Sequence, residues 1–352
     1  MHLEPIRGHS GQAAEEARRL TELARAAGLG DSPDDAVRWH RDALSLLGAS
    51  EATPLLADVL RWQGTVLRDR GNPGEAKPLY QRSLTLSREL KYSAGVAHAL
   101  NCLGILALNA GDLSLAGDLF TEALTVTESC GERRLLGMIQ QNLGVMADIR
   151  GNPASAMTHY RAALRWFEAE SDRQQVCWVL NNLGIIHAKE GRHEAARDAY
   201  ARALDIAKER GELLFEGIIV GNLAELELIC DNIAAAQPAI ERALEIAERR
   251  GDNARRAIAL KLLGACHRMG GDVSSAEDAL GRAARLAAVS GDALTSAEIR
   301  FQLACALAAG GRQTIAEETW TRSLMAFERI GARQWAARVR ARLTGGENGR
   351  YF

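Results

Sequence analysis

The sequence predicts an all-α solenoid of eight helix pairs, and three periodic features carry that prediction. Small residues recur every 40 positions without insertion or deletion, at Ala24, Gly64, Gly104, Gly144, Gly184, Ala224, Gly264 and Ala304. An alanine follows each of them by twelve: Ala36, Ala76, Ala116, Ala156, Ala196, Ala236, Ala276 and Ala316. Between the two columns stand Gly71, Gly111, Gly151, Gly191, Gly271 and Gly311, placed where a helix would end in a left-handed turn. The composition agrees, with 47% hydrophobic residues and only 7 Pro in 352 residues, a mixture that favours long helices.

Each element follows from these columns. A repeat is a first helix of about 15 residues, a tight turn and a second helix of about 18; in the fifth repeat these fall at 174–189 and 193–210. Ser32, Asn72, Asp112, Asn152, Asn232 and Asp272 are placed to cap the second helices. Pro33, Pro73 and Pro153 suit the first helical position, and Glu75 is spaced to complete a capping box with Asn72. Arg192 and Arg312 break this capping pattern. A second glycine column, Gly131, Gly211, Gly251, Gly291 and Gly331, ends the second helices. Tyr80, Phe120, Tyr160, Tyr200, Ile240, Leu280 and Trp320 stand four beyond the alanines and are expected to fill the space between successive pairs.

The eight repeats span 12–331, with the first, carrying Ala24, Asp31 and His40, the least typical. Residues 1–11 read as a disordered N-terminus and 345–352 as a flexible tail. Between repeats and tail, 332–344 reads as a capping helix: Trp335, Ala336, Val339 and Leu343 form an apolar stripe, with Arg333, Arg338, Arg340 and Arg342 on the other faces.

Nothing in the chain reads as catalytic or cofactor-binding. The formal net charge of -2 points away from nucleic acid. The 8 His and 6 Cys form no pattern with metal-ligand spacing, and the cysteines are expected to be reduced and packed as small apolar groups. No phosphate loop is present, and acidic pairs such as Glu317 and Glu318 read as solvated charge. The N-terminus lacks the order of a signal peptide and no apolar run is long enough to span a bilayer, so no membrane partner and a cytoplasmic location are expected.

The run Leu183, Gly184, Gly191, Ala196, Tyr200, Ala203, Leu204 resembles the tetratricopeptide repeat, and the resemblance covers nearly the whole chain. The 40-residue period is similar to that of the long-helix subtype of kinesin light chains and Leu-Gly-Asn-type adaptors, and of repeat domains in bacterial signal-transduction ATPases and transcriptional activators. The resemblance implies a right-handed superhelix whose first helices line a concave groove through positions two, five, six, nine, twelve and thirteen, counting the small anchor as eight. Those positions hold Asn142, Asn182 and Asn222 at six, Asn101 and Asn181 at five, and Gln141 beside Asn142.

An amide carries both a donor and an acceptor, so this column suits the peptide groups of an extended ligand. The alternative, that it only stabilises neighbouring helices through amide-to-backbone bonds, stays open at this level. Arg61 and Arg68 near one end and Lys261 and Arg268 near the other add cationic groups, partly balanced by Asp58, Asp69, Asp148 and Glu225; a partner with acidic residues toward its ends would suit them. Ile105, Val145, Ile149, Ile185, Ile229 and Met269 serve either as apolar pockets between the amides or, some of them, as ordinary packing between helices, and Trp62 and Trp178 either as aromatic anchors or as packing between repeats. The leading expectation is a scaffold or adaptor that holds a peptide or partner protein in the groove. A ligand-sensing module controlling a partner is the alternative, and an enzyme with an unrecognised groove site ranks last.

Overall fold

The computed structural model describes the backbone of residues 7–28, 33–48, 52–290 and 292–345. Seventeen helices and no strand occur among the described residues. The chain divides into two compact bodies, Met1–Asp172 and Arg173–Phe352. The first holds four repeats: α1 (Arg7–Gly28) with α2 (Pro33–Leu47), α3 (Pro54–Asp69) with α4 (Pro73–Glu89), α5 (Ser93–Asn109) with α6 (Leu113–Cys130), and α7 (Arg133–Ile149) with α8 (Pro153–Ala169). The second holds α9 (Arg173–Lys189) with α10 (His193–Glu209), α11 (Leu213–Ile229) with α12 (Ile233–Arg249), α13 (Asn253–Met269) with α14 (Val273–Ser290), α15 (Ala293–Ala309) with α16 (Gln313–Ile330), and then α17 (Arg333–Leu343). Within each body every helix packs on the next, and successive first helices also touch, so first helices line one face. This is an all-α repeat solenoid. None of the described helices is long and apolar enough to cross a membrane.

The turns behave as the glycine columns demand. Gly71, Gly111, Gly151, Gly191, Gly271 and Gly311 all have φ between 70 and 88°, a left-handed conformation that glycine takes without the cost a Cβ adds. The left-handed residue lets the next amide reach back, as from Asn72 N–H to the Leu67 carbonyl at 2.9 Å. Lys91, Ser171 and Asp231 take the same conformation without being glycine, at φ of 55, 53 and 59°. The backbone position therefore persists where the residue type does not.

Asp112, Asn152 and Asn232 cap their helices through the side chain, as does Asp272 toward Ser275 N–H at 3.0 Å. Arg192 and Arg312 make no side-chain cap. Nor does Asn72. Its backbone carbonyl takes the amides of Glu75 and Ala76 at 3.2 and 3.1 Å, so the expected capping box is not formed. The expectations on Asp31, Ser32, Gly291 and residues 346–352 lie outside the described residues, as do those on residues 1–6. From Arg7 on, however, the chain is already helical, so α1 takes in residues assigned to the N-terminal tail.

Large residues meet the small anchors of their own repeat, and Tyr80 and Ile240 also pack in clusters with residues of the next repeat, Cys102 and Cys266 among them. A Cβ built on Gly64, Gly104, Gly144 or Gly184 would lie 2.8, 2.5, 2.7 or 2.5 Å from the ring of Tyr80, Phe120, Tyr160 or Tyr200. At these four repeats the anchor is small because an aromatic ring of its own second helix lies against the backbone there. The alanine column is fully buried from Ala36 to Ala316. Cys102, Cys177, Cys266 and Cys305 are buried free thiols, and burial, the largest cause in each, raises their pKa above the ordinary thiol value.

Candidate functional site

The asparagines at positions five and six form rungs between successive first helices. In the N-terminal body Asn142 Nδ2 donates to Asn101 Oδ1 at 2.9 Å. In the C-terminal body Asn222 Nδ2 donates to Asn181 Oδ1 at the same distance. The position-five partners are enclosed, at 2% and 4% exposure, while Asn142, Asn182 and Asn222 are half-buried. The column is thus built in part for helix-to-helix cohesion, by amide-to-amide bonds and not the amide-to-backbone bonds of the sequence-level alternative. Asn142 and Asn222 keep further donor and acceptor capacity beyond their rungs. Gln141 Oε1 is enclosed and has no hydrogen-bond donor.

The cationic residues are engaged internally. Arg61 donates to Asp58 at 3.1 Å and lies 5.1 Å from the Trp62 ring, and Tyr92 OH reaches the second Asp58 oxygen at 3.1 Å. Arg68 holds Asp69 through two bonds of 2.8 and 2.6 Å. Lys261 is buried, with Nζ 2.5 Å from Glu298 Oε2. Burial opposes its charge, but the Glu298, Glu225 and Asp292 carboxylates outweigh it and raise its pKa. Arg268 donates to Gln302 Oε1 at 3.3 Å. Arg61, Arg68 and Lys261 are thus already paired with carboxylates, which leaves less of their charge for an acidic partner, whereas Arg268 meets a neutral amide. Met269 is core, at 4% exposure, and Trp178 packs edge-on against Phe215 of the next repeat at 4.5 Å.

In the C-terminal body the first helices enclose a cavity of about 490 Å3. Ile185 of α9 and Leu226 and Ile229 of α11 make its apolar wall, Tyr200 of α10 adds a ring, and Asn222 and the Lys261–Glu298 pair bring polar groups. The wall opposite α9 and α11 comes from α17, through Gln334, Trp335 and Arg338. Trp335 is wedged against Phe327 (stacked, 5.3 Å) and Phe301 (edge-on, 5.7 Å), with the Arg338 guanidinium 4.8 Å from its ring. Of the residues singled out from sequence, the cavity gathers Asn222, Lys261, Ile185, Ile229 and Glu225; it does not gather Asn181, Asn182 or Arg268. Sequence reading missed the part played by α17, which looked only like a cap. The available signal was Trp335, a bulky aromatic on a helix that occupies a first-helix place in the register.

Apolar walls, amides and balanced charge suit an extended polypeptide. Cys230 Sγ lies 3.2 Å from His193 Nδ1, but it is outside the cavity, and burial first of all raises its thiol pKa, which opposes thiolate formation. Among the described residues no group of three or more His, Cys, Asp or Glu could hold a metal ion.

Comparison with known proteins agrees with this architecture. Among solved structures, a signal-transduction ATPase with a tetratricopeptide repeat sensor from Pyrococcus horikoshii is similar at 15% identity and a TM-score of 0.68, covering 94% of this chain and 50% of the other. A Rap protein complexed with competence and sporulation factor aligns over 96% of this chain and 97% of its own, at 16% identity and a TM-score of 0.62. The Rap conjugation gene regulator of plasmid pLS20, in complex with the Phr* peptide, covers 81% and 77% at 16% identity and a TM-score of 0.58. No curated protein sequence matches the chain. The family model of the tetratricopeptide repeat matches residues 55–129, 135–209 and 216–288. With well over half of its length matched, the chain belongs to the tetratricopeptide repeat family.

Proposed function

We propose that the protein is a non-catalytic interaction module that holds an extended segment of a partner protein, or a free peptide, along the face of its first helices. The cavity around Asn222 is the centre of that site. The observation that carries this reading is the combination, in one cavity of about 490 Å3, of the Asn222 amide, the aliphatic wall of Ile185, Leu226 and Ile229, and the Trp335 ring. Backbone groups of an extended chain find donors and acceptors there, and its side chains find apolar surface. The pLS20 regulator, of similar fold, is complexed with a peptide, which supports the same reading here.

The test is selection of random heptapeptides on the intact protein, followed by calorimetric titration of those selected. Ile229→Arg places a long cation in the cavity and is expected to weaken the selected peptides at least tenfold. Peptides that bind Ile229→Arg unchanged would move the site elsewhere. A sensory role is favoured by one feature, the contribution of α17 to the cavity wall: an occupant touching both α11 and α17 ties the C-terminal helix to the array. Slower hydrogen exchange of α17 on peptide addition would support that role.

A further inference from the structure

Two glycines interrupt α11 one turn apart, at Gly217 and Gly221. Glycine inside a helix is less favourable than alanine, so each calls for a reason. Gly217 has one in packing: a Cβ there would meet Ile246 Cγ2 at 2.9 Å. Gly221 has none, because a Cβ there would meet nothing within 4 Å. It occupies position five, the place that Asn101, Gln141 and Asn181 fill in the three preceding repeats, so the amide column stops at an open space.

That space is a notch of about 40 Å3 among α11, α12 and α13, beside Ile218, Ile246, Ile258 and Leu262. Leu262 is buried, Ile218 and Ile258 are half-buried, and Leu214 at the same notch is 36% exposed. Asn222 lines both the notch and the larger cavity, so a chain whose backbone meets that amide passes the opening.

We infer that the Gly221 notch is a specificity subsite that takes one small aliphatic side chain, alanine or valine in size, from an extended peptide whose backbone is held by Asn222. This rests on the groove-binding reading above. The occupant's chemistry follows from the walls: Ile218, Ile246, Ile258 and Leu262 give hydrocarbon sides, Glu225, Arg250, Asp252 and Arg255 add charged groups to the lining, and a volume of about 40 Å3 suits a methyl or a small branch better than an aromatic ring.

Three forms of the intact protein separate the possibilities: the wild type, Gly221→Val and Asn222→Ala. Valine in place of Gly221 fills the notch with its own side chain and is a better helix former than glycine, so folding is retained and is checked by a melting curve. The first probe is N-acetyl-valine methylamide at millimolar concentration, followed by methyl NMR. It is expected to shift the Ile218 and Ile258 methyl signals of the wild type and to leave those of Gly221→Val unmoved. The second is the heptapeptide selection, in which the wild type should prefer alanine or valine at one fixed place. Gly221→Val should lose that preference and bind the selected peptides at least tenfold more weakly, whereas Asn222→Ala should weaken them without changing it. Selected peptides that bind Gly221→Val unchanged, or a wild type whose Ile218 and Ile258 signals ignore the amino-acid probe, overturn the notch and leave the groove reading standing. Failure of the wild type to select any peptide overturns the groove reading and the notch with it.

Discussion

Replacing Gly184 by alanine isolates the contact on which the repeat geometry depends. The new methyl carbon would lie 2.5 Å from Tyr200 Cε1, 2.7 Å from Cδ1 and 2.9 Å from Cζ. Real carbon pairs do not come so close, and the ring is 2% exposed, so the methyl has no room unless the helices part. Alanine gains about 1 kcal/mol of helix propensity over glycine. Overpacking a well-filled core costs about 1 to 3 kcal/mol, and a rigid buried ring puts this site at the upper end. The expected net loss is about 2 kcal/mol, a fall of about 4 to 8 °C in Tm for a body of this size. Gly221→Ala provides the opposite case on α11, where the methyl meets nothing, and stability should rise by up to about 1 kcal/mol. Urea unfolding of both variants beside the wild type gives the comparison. A Gly184→Ala protein as stable as Gly221→Ala would refute the argument that the ring dictates the anchor's size.

Asn142→Ala leaves Asn101 Oδ1, on a residue 2% exposed, without its 2.9 Å donor and should cost about 1 to 3 kcal/mol. The loss with Asn101→Ala added should be less than additive, and strict additivity in a double-mutant cycle would show the rung to be energetically idle. His98 has its pKa lowered to about 3 by burial first and by the Arg61 and Arg134 charges second. Between about pH 6.5 and 3 the unfolded chain therefore binds a proton that the native imidazole refuses, and stability falls as pH falls through that window. The slope from this one group approaches about 1.4 kcal/mol per pH unit, and His98→Gln should remove it from a urea-midpoint series taken between pH 4 and 7. Ending the chain after Gly331 strips Trp335 from Phe301 and Phe327 and bares an apolar face, so light scattering should detect association that the intact chain lacks.

Much of the fold was legible because helix ends are local events. The glycine columns placed α9 at 174–189 and α10 at 193–210, against the observed Arg173–Lys189 and His193–Glu209. The joints at Lys91, Ser171 and Asp231, which no glycine marks, fall at the same 40-residue spacing as those columns. The side-chain contacts between helices were less legible. That Tyr200 faces the anchor of its own pair, or that Asn222 spends a donor on Asn181, depends on how helices rotate about their axes, which residue spacing does not encode. The cavity was the least legible part, since it arises where α17 comes round to face α9 and α11. Gly221 was in plain view as a residue, but its meaning required knowing that a Cβ there would touch nothing.

The four buried thiols turn the array into its own reporter of local opening. Cys102, Cys177, Cys266 and Cys305 lie in the third, fifth, seventh and eighth repeats, each on a first helix and none more than 7% exposed. A thiol reagent can reach each one only when that repeat loosens, so the order in which the four are modified, followed by peptide mass, ranks repeats by the free energy of opening. Neighbour-coupled repeats predict a graded sequence of modification times, and a single cooperative block predicts one shared time. The natural sequence thus permits this measurement at four sites without an introduced label.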